Sequence, residues 1–223
     1  MERSDPAREY FGALNCFGFS ALRVVARVTA RPYFRLSCEN AERMPAGPCV
    51  VAPNHSSFMD PFALQCALPR RVVFLMTSDW YNRPLLRPFF RAMGAVPLQE
   101  NARSNRAALD RALDAIERGM PIAIFPEGAV TRDGSLGRFH GGVAQIAVRA
   151  GVPIVPVGID GTFAAFPKGR WIPRPKRVTV RLGESIEVPP VDDVDKSARR
   201  RAFREITDQV KAGVAALLPS ASA

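Results

Sequence analysis

The feature that most constrains this chain is a succession of short apolar runs separated by stretches with helical spacing. "CVVAPN", "RVVFLM", "GAVPL", "PIAIF" and "VPIVPVGI" read as strands, with "SNRAALDRALDAIERG" and "GGVAQIAVRAG" as helices between them. Such alternation predicts an α/β fold, a single domain whose mixed, largely parallel sheet is flanked by helices. The 223 residues suit one such domain with an appended element, and are enough to bury a substantial core.

Upstream, Phe11, Leu14, Gly18, Leu22 and Val25 recur at helical spacing, with Ser20, Arg23 and Arg27 on the other side. This predicts an N-terminal amphipathic helix from Tyr10 to about Thr29, ended by Pro32. Its apolar face suits either an interfacial membrane anchor or packing against the domain, and the pattern does not choose. Downstream, "KRVTVRLG" alternates with period two as a late, possibly edge, strand. From Lys196, Phe203, Ile206, Val210, Val214 and Leu217 form one helical stripe. The expected divisions are 1–36 for the helical membrane-association segment, 37–190 for the α/β core and 191–223 for a C-terminal amphipathic helix packed on it.

Lys and Arg number 31 against 21 acidic residues, a net charge of +10, which points to an anionic partner such as a nucleic acid or an anionic membrane. No nucleic-acid motif accompanies the charge, so the membrane surface is the expected partner. The segment from Phe163 to Lys176 reads as an ordered surface loop, basic and aromatic. Cys16, Cys38, Cys49 and Cys66 form no C-x-x-C pair, and with only His55 and His140 beside them no metal site is expected. Neither an export signal nor a membrane-spanning run is expected, since the apolar stretch Tyr10 to Leu22 is too short.

Chemistry concentrates in two blocks. In "NHSSFMDPF", Pro53 ends a strand, and Asp60 with Pro61 predicts a helix start, Asp60 as N-cap and Pro61 at the first helical position. His55 then lies in the loop, where it can fold back onto Asp60. The carboxylate would fix the imidazole tautomer and leave the other ring nitrogen as general base. No G-x-S-x-G nucleophile is present, so the proton would come from a substrate hydroxyl attacking an activated acyl carbonyl. The bland reading is a helix cap and a loop-tethering histidine. In "IAIFPEGAVTRDG", Glu127 is expected to face a cleft and accept a substrate hydroxyl, and the Gly128 amide to face an oxyanion, unless the block is a simple turn. Pro153 and Pro156 argue against a central position for their strand.

Taken in order, "NHSSFMD", "GAVPL", "FPEG" and "VPIVPV" resemble the four blocks of the glycerolipid acyltransferase family, which includes 1-acylglycerol-3-phosphate acyltransferases. The resemblance runs from about Val50 to Val157, and "FHGGVAQIAVRAG" matches the family's helix at Phe139, Gly142 and Ala147. It implies His55 as base, Asp60 as its partner, and an acyl thioester on coenzyme A or acyl carrier protein as co-substrate. Asn54 and Ser57 also match, as loop-shaping hydrogen-bonders at the substrate site, and Glu127 and Gly128 are expected around the substrate. Two arginines that the family uses on the acceptor's phosphate are replaced by Glu100 and Val130. Arg103, Arg132 or Arg138 is expected to stand in for them, or else the acceptor is another lysolipid, such as a lyso-aminolipid. The expected function is fatty acyl transfer to a lysolipid hydroxyl at the cytoplasmic face of the membrane. A non-catalytic basic lipid-binding module and a soluble hydrolase are the rivals.

Overall fold

A computed structural model describes residues 17–77, 84, 95–98, 102–167, 169–189 and 196–219. Its strands are β1 (Ser37–Glu39), β2 (Val50–Pro53), β3 (Val73–Thr77), β4 (Ala95–Leu98), β5 (Ile122–Ile124), β6 (Ile154–Asp160) and β7 (Thr179–Leu182). Helices are α1 (Phe17–Phe34), α2 (Asp60–Ala67), α3 (Ala102–Glu117), α4 (Gly142–Ala150), α5 (Thr162–Ala165) and α6 (Lys196–Leu217). The sheet order is β1-β7-β6-β2-β5-β3-β4, and every pair is parallel except β6 with β7, which makes the sheet mixed and largely parallel.

The strands lack alternation because both faces are covered. Along β2, Val51 packs into a core shared with α1 and α2, through Ala30, Phe34, Leu64 and Ala67. Its neighbours Val50 and Ala52 point the other way, into a core with Val143, Ile206 and Val210 of α4 and α6. Burial on two sides replaces the polar half of the strand pattern with Val, Ile and Ala.

Three expectations need correction. Pro32 does not end α1 but sits inside its last turn. The stop comes at Arg35, in the left-handed region at φ 44°, where Leu36 N–H donates to Arg31 O at 2.9 Å and Arg35 N–H to Pro32 O at 3.4 Å. This is a Schellman closure with arginine where glycine is usual. Second, β7 is not an edge, since β1 adds outside it. Third, β6 is interior despite Pro156, because its missing N–H faces the stretch where the β7 ladder is interrupted. There Gly183 N–H donates to Pro156 O at 2.8 Å, and pairing resumes only at the Ile154–Ile186 bridge. The portion of the expected N-terminal helix before Phe17 and the acidic run before α6 lie outside the described residues.

Between its two possible roles, α1 divides. Ala26, Ala30 and Phe34 pack on the core, whereas Val24, Val25 and Val28 are exposed. Among the described residues no helix is long and apolar enough to cross a membrane.

Candidate active site

Adjacent parallel strands β2 and β5 end side by side, so the loops after Pro53 and Ile124 meet at the carboxyl edge of the sheet. Asn54 anchors the first loop. Its Nδ2 donates to Ile159 O at 3.0 Å and its Oδ1 accepts from Ile159 N–H at 2.7 Å, stitching the end of β2 to β6. His55 follows, with its ring stacked on Phe125 at a centroid distance of 4.0 Å and its side chain 15% exposed.

The His55 Nδ1 lies 2.9 Å from Asp60 Oδ2. That oxygen also accepts the N–H groups of Ser56 and Ser57, both at 2.7 Å. Asp60 is fully buried, and its other oxygen, Oδ1, has no partner among the described residues, nor does the buried Thr131 Oγ1. An acceptor already holding two amides receives the Nδ1 proton, which leaves the lone pair on Nε2. Loop folding thus brings together two residues five apart in sequence that a straight helix would separate by about 140°.

Asp60 is not the N-cap. Met59 occupies that position with helical dihedrals, Asp60 is the first helical residue, and Pro61 follows it. The carboxylate is turned back onto the loop amides instead of forward onto the helix. Ser57 carries the local turn: its carbonyl accepts Asp60 N–H at 3.1 Å, its Oγ accepts Met59 N–H at 3.1 Å, and its hydroxyl donates to Phe166 O at 2.7 Å. Asn54 and Ser57 are buried, with their side-chain polar atoms bonded within the loop scaffold.

Glu127 also departs from expectation, being buried and not open to a cleft. Its Oε1 accepts His55 N–H at 2.8 Å and its Oε2 accepts Gly137 N–H at 3.1 Å. Burial pushes its carboxyl above the usual glutamate range, against the opposing pull of those two amides. Gly137 permits the approach, for a Cβ there would lie 2.7 Å from Oε2. Gly128 takes φ 71°, which suits glycine, but its N–H donates to Phe125 O at 3.1 Å and so closes a turn instead of facing an oxyanion.

Of the candidate cations, Arg132 is exposed and follows Thr131, whose N–H donates to His55 O at 3.0 Å. It therefore extends from a segment laid directly against the His55 loop. Arg138 is exposed, Val130 is half-buried, Arg103 is the second residue of α3 with its side chain outside the described residues, and Glu100 lies outside them altogether. Phe125, Gly137 and His140, which lies over Gly128, were not singled out by sequence reasoning. Only Phe125 had a signal, an aromatic closing the strand before Pro-Glu-Gly. An open cleft of about 400 Å³ lined by Arg27, Arg31, Leu36, Cys38 and Ala67 does not include His55, and so it is not a site for the chemistry. Among the described residues no group of three or more His, Cys, Asp or Glu could hold a metal ion.

A profile of the acyltransferase family matches residues 35–160. A chloroplastic 1-acyl-sn-glycerol-3-phosphate acyltransferase of Brassica napus is 32% identical over 147 residues, 65% of this chain and 42% of that protein. Its Arabidopsis thaliana counterpart is 31% identical over 147 residues, 65% of this chain and 41% of that protein. A 1-acyl-sn-glycerol-3-phosphate acyltransferase of Pseudomonas aeruginosa is 25% identical over 208 residues, 89% of this chain and 72% of that protein. The chain thus spans less than half the length of the two plant relatives. The crystal structure of the 1-acyl-sn-glycerophosphate acyltransferase from Thermotoga maritima shares the fold, with a TM-score of 0.63 at 24% identity, covering 94% of this chain and 88% of that one.

Proposed function

The chain belongs to the acyltransferase family, and on that premise we propose that it transfers a fatty acyl group from an acyl thioester to a hydroxyl of a lysolipid in glycerolipid synthesis. The observation that carries this reading is His55, held at Nδ1 by Asp60 at 2.9 Å with Nε2 left unbonded among the described residues. The donor is an acyl group on coenzyme A or acyl carrier protein, and no further cofactor takes part.

In this reading Nε2 removes the proton as the acceptor oxygen attacks the thioester carbonyl. The tetrahedral intermediate collapses with cleavage of the carbon–sulfur bond, and the imidazolium returns its proton to the leaving thiolate. Asp60 stabilises the imidazolium in between. Because the acceptor attacks directly, no acyl-enzyme forms, in keeping with the lack of a nucleophile elbow. Glu127 acts as a positioning residue that holds the His55 backbone, and Arg132 is the cation best situated to meet the acceptor's phosphate. The enzyme works peripherally on an anionic lipid surface, the cytoplasmic face of the cell membrane, with its +10 charge drawing it there.

A second acceptor reading has its own support. Val130 stands where the family resemblance calls for arginine and offers no fork for a phosphomonoester. A lyso-aminolipid or a lysophospholipid diester would need fewer cations.

The test incubates a labelled acyl thioester with a panel of lysolipids, comparing wild type with His55→Ala. Acylated product from the wild type and a loss of about 10²- to 10⁴-fold in the variant are expected. Undiminished activity of His55→Ala removes the general base. Free fatty acid released without any acceptor points to the hydrolase instead. Turnover of lysophosphatidic acid that is weak beside other lysolipids selects the second acceptor reading.

A further inference from the structure

The stretch 166–177, "FPKGRWIPRPKR", of which Lys168 lies outside the described residues, joins α5 to β7 and takes no part in the chemistry above. Trp171 is 96% exposed and Ile172 76% exposed. Flanking them, Arg170, Arg174, Lys176 and Arg177 are exposed and form no ion pair with a described residue. No acidic residue occurs between Asp160 and Glu184.

This is a braced display, since Arg170 N–H donates to Pro167 O at 3.2 Å, Arg174 N–H to Ala165 O at 2.8 Å and Lys176 N–H to Arg174 O at 2.9 Å. Pro167, Pro173 and Pro175 restrict the backbone further. An ordered loop that holds tryptophan and isoleucine in water forgoes the burial available to both, which calls for an occupant outside the chain.

The loop is also tied to the two parts of the molecule that matter. At one end Ser57, two residues beyond His55, donates its hydroxyl to Phe166 O at 2.7 Å. At the other, the Tyr33 hydroxyl of α1 donates to Pro173 O at 3.0 Å, joining the loop to the helix whose Val24, Val25 and Val28 are exposed.

We infer that Trp171 and Ile172 form a wedge that enters the headgroup layer of an anionic bilayer, with Arg170, Arg174, Lys176 and Arg177 on lipid phosphates. Tryptophan partitions to that layer because its ring is apolar and its N–H finds partners there. Cations around an apolar tip match an anionic lipid surface. An acidic carrier protein would satisfy the four cations but not the tryptophan and isoleucine held out in water among them, so the bilayer is the occupant the surface favours. The inference rests on the membrane-surface reading above and deepens it by naming the part that docks.

The test measures co-sedimentation with vesicles of phosphatidylcholine alone and of phosphatidylcholine mixed with phosphatidylglycerol. Wild type should bind the mixed vesicles, and Trp171→Ala/Ile172→Ala should bind them at least about tenfold more weakly. Arg174→Ala/Lys176→Ala should lose about fivefold per charge on mixed vesicles, with little change on neutral ones. The apolar double variant should keep the wild-type melting temperature and its turnover of a short-chain lysolipid dissolved as monomer. If wild type binds and both variants bind equally well, the wedge is wrong while the membrane reading stands. If vesicle binding holds but turnover with acyl carrier protein falls relative to coenzyme A, the loop docks the carrier and the wedge is overturned. If wild type binds neither vesicle, the membrane reading itself falls and takes the wedge with it.

Discussion

Asp60 Oδ2 serves three donors at once, the His55 ring and the amides of Ser56 and Ser57. An asparagine can keep that oxygen and put its NH₂ where the partnerless Oδ1 now lies. Asp60→Asn should therefore fold, yet its carbonyl cannot compensate an imidazolium. Product formation should drop by about a thousandfold, within the range for a lost acid–base function, while circular dichroism stays native. A variant that unfolds at normal specific activity would reduce Asp60 to a scaffold. Glu127 presents the opposite case, because its two oxygens each hold one backbone amide. Glu127→Gln keeps one acceptor and sets an NH₂ against the other N–H, so a loss of about 1–3 kcal/mol is expected. Burial raises the carboxyl's pKa in the fold, so the native state binds the proton more tightly than the unfolded chain. Its contribution to stability is present below the ordinary glutamate value and is lost as pH rises through the raised one. The melting-temperature gap between wild type and Glu127→Gln should accordingly narrow on going from acidic to neutral pH. A gap that widens would mean the shift has the opposite sign.

Among the elements, β2, β5 and the loop after each position His55, and the stitch from Asn54 to Ile159 joins them to β6. Asn54→Ala strands a buried N–H and a buried carbonyl of Ile159, a cost of about 2–4 kcal/mol. In a chain of this size that lowers the melting temperature by about 5–15 °C, and the loosened loop should lower kcat more than it raises KM. An equal effect on binding alone would make Asn54 a substrate contact. The strands, helices and the loop that folds His55 onto Asp60 were legible because apolar runs, Pro53 and the five-residue spacing from His55 to Asp60 act locally. What was not legible depends on partners distant in sequence. Pro156 looked excluded from an interior strand, but the gap in β7 that accommodates it lies 27 residues away, at Gly183. Glu127 looked solvated, and only the fold brings the amides of His55 and Gly137 to it. The stop at Arg35 used a residue whose composition gives no hint of a left-handed conformation.

At the scale of the whole molecule, the C-terminal helix reaches the His55 loop through the sheet. α6 lays Val210 and Val214 into the core against β2 and β6, and its last residue, Leu217, closes over Gly158. A Cβ on Gly158 would stand 2.7 Å from Leu217 Cβ and 3.1 Å from Leu217 O. Neither atom is the tip of a flexible side chain, so helix or strand has to move. The next residue is Ile159, whose backbone holds Asn54, and Asn54 precedes His55. Gly158→Ala is therefore expected to cost about 1–3 kcal/mol by overpacking, a fall of about 2–12 °C in melting temperature, and to lower kcat although it touches no substrate. Leu217→Ala in the same chain should give no relief, since alanine keeps the Cβ and the carbonyl that clash. If Gly158→Ala loses stability but keeps full kcat, the strain is absorbed within α6 and the His55 loop is insulated from it. If kcat falls together with stability, and Asn54→Ala added on top lowers it no further, the helix, β6 and the His55 loop act as one mechanical unit.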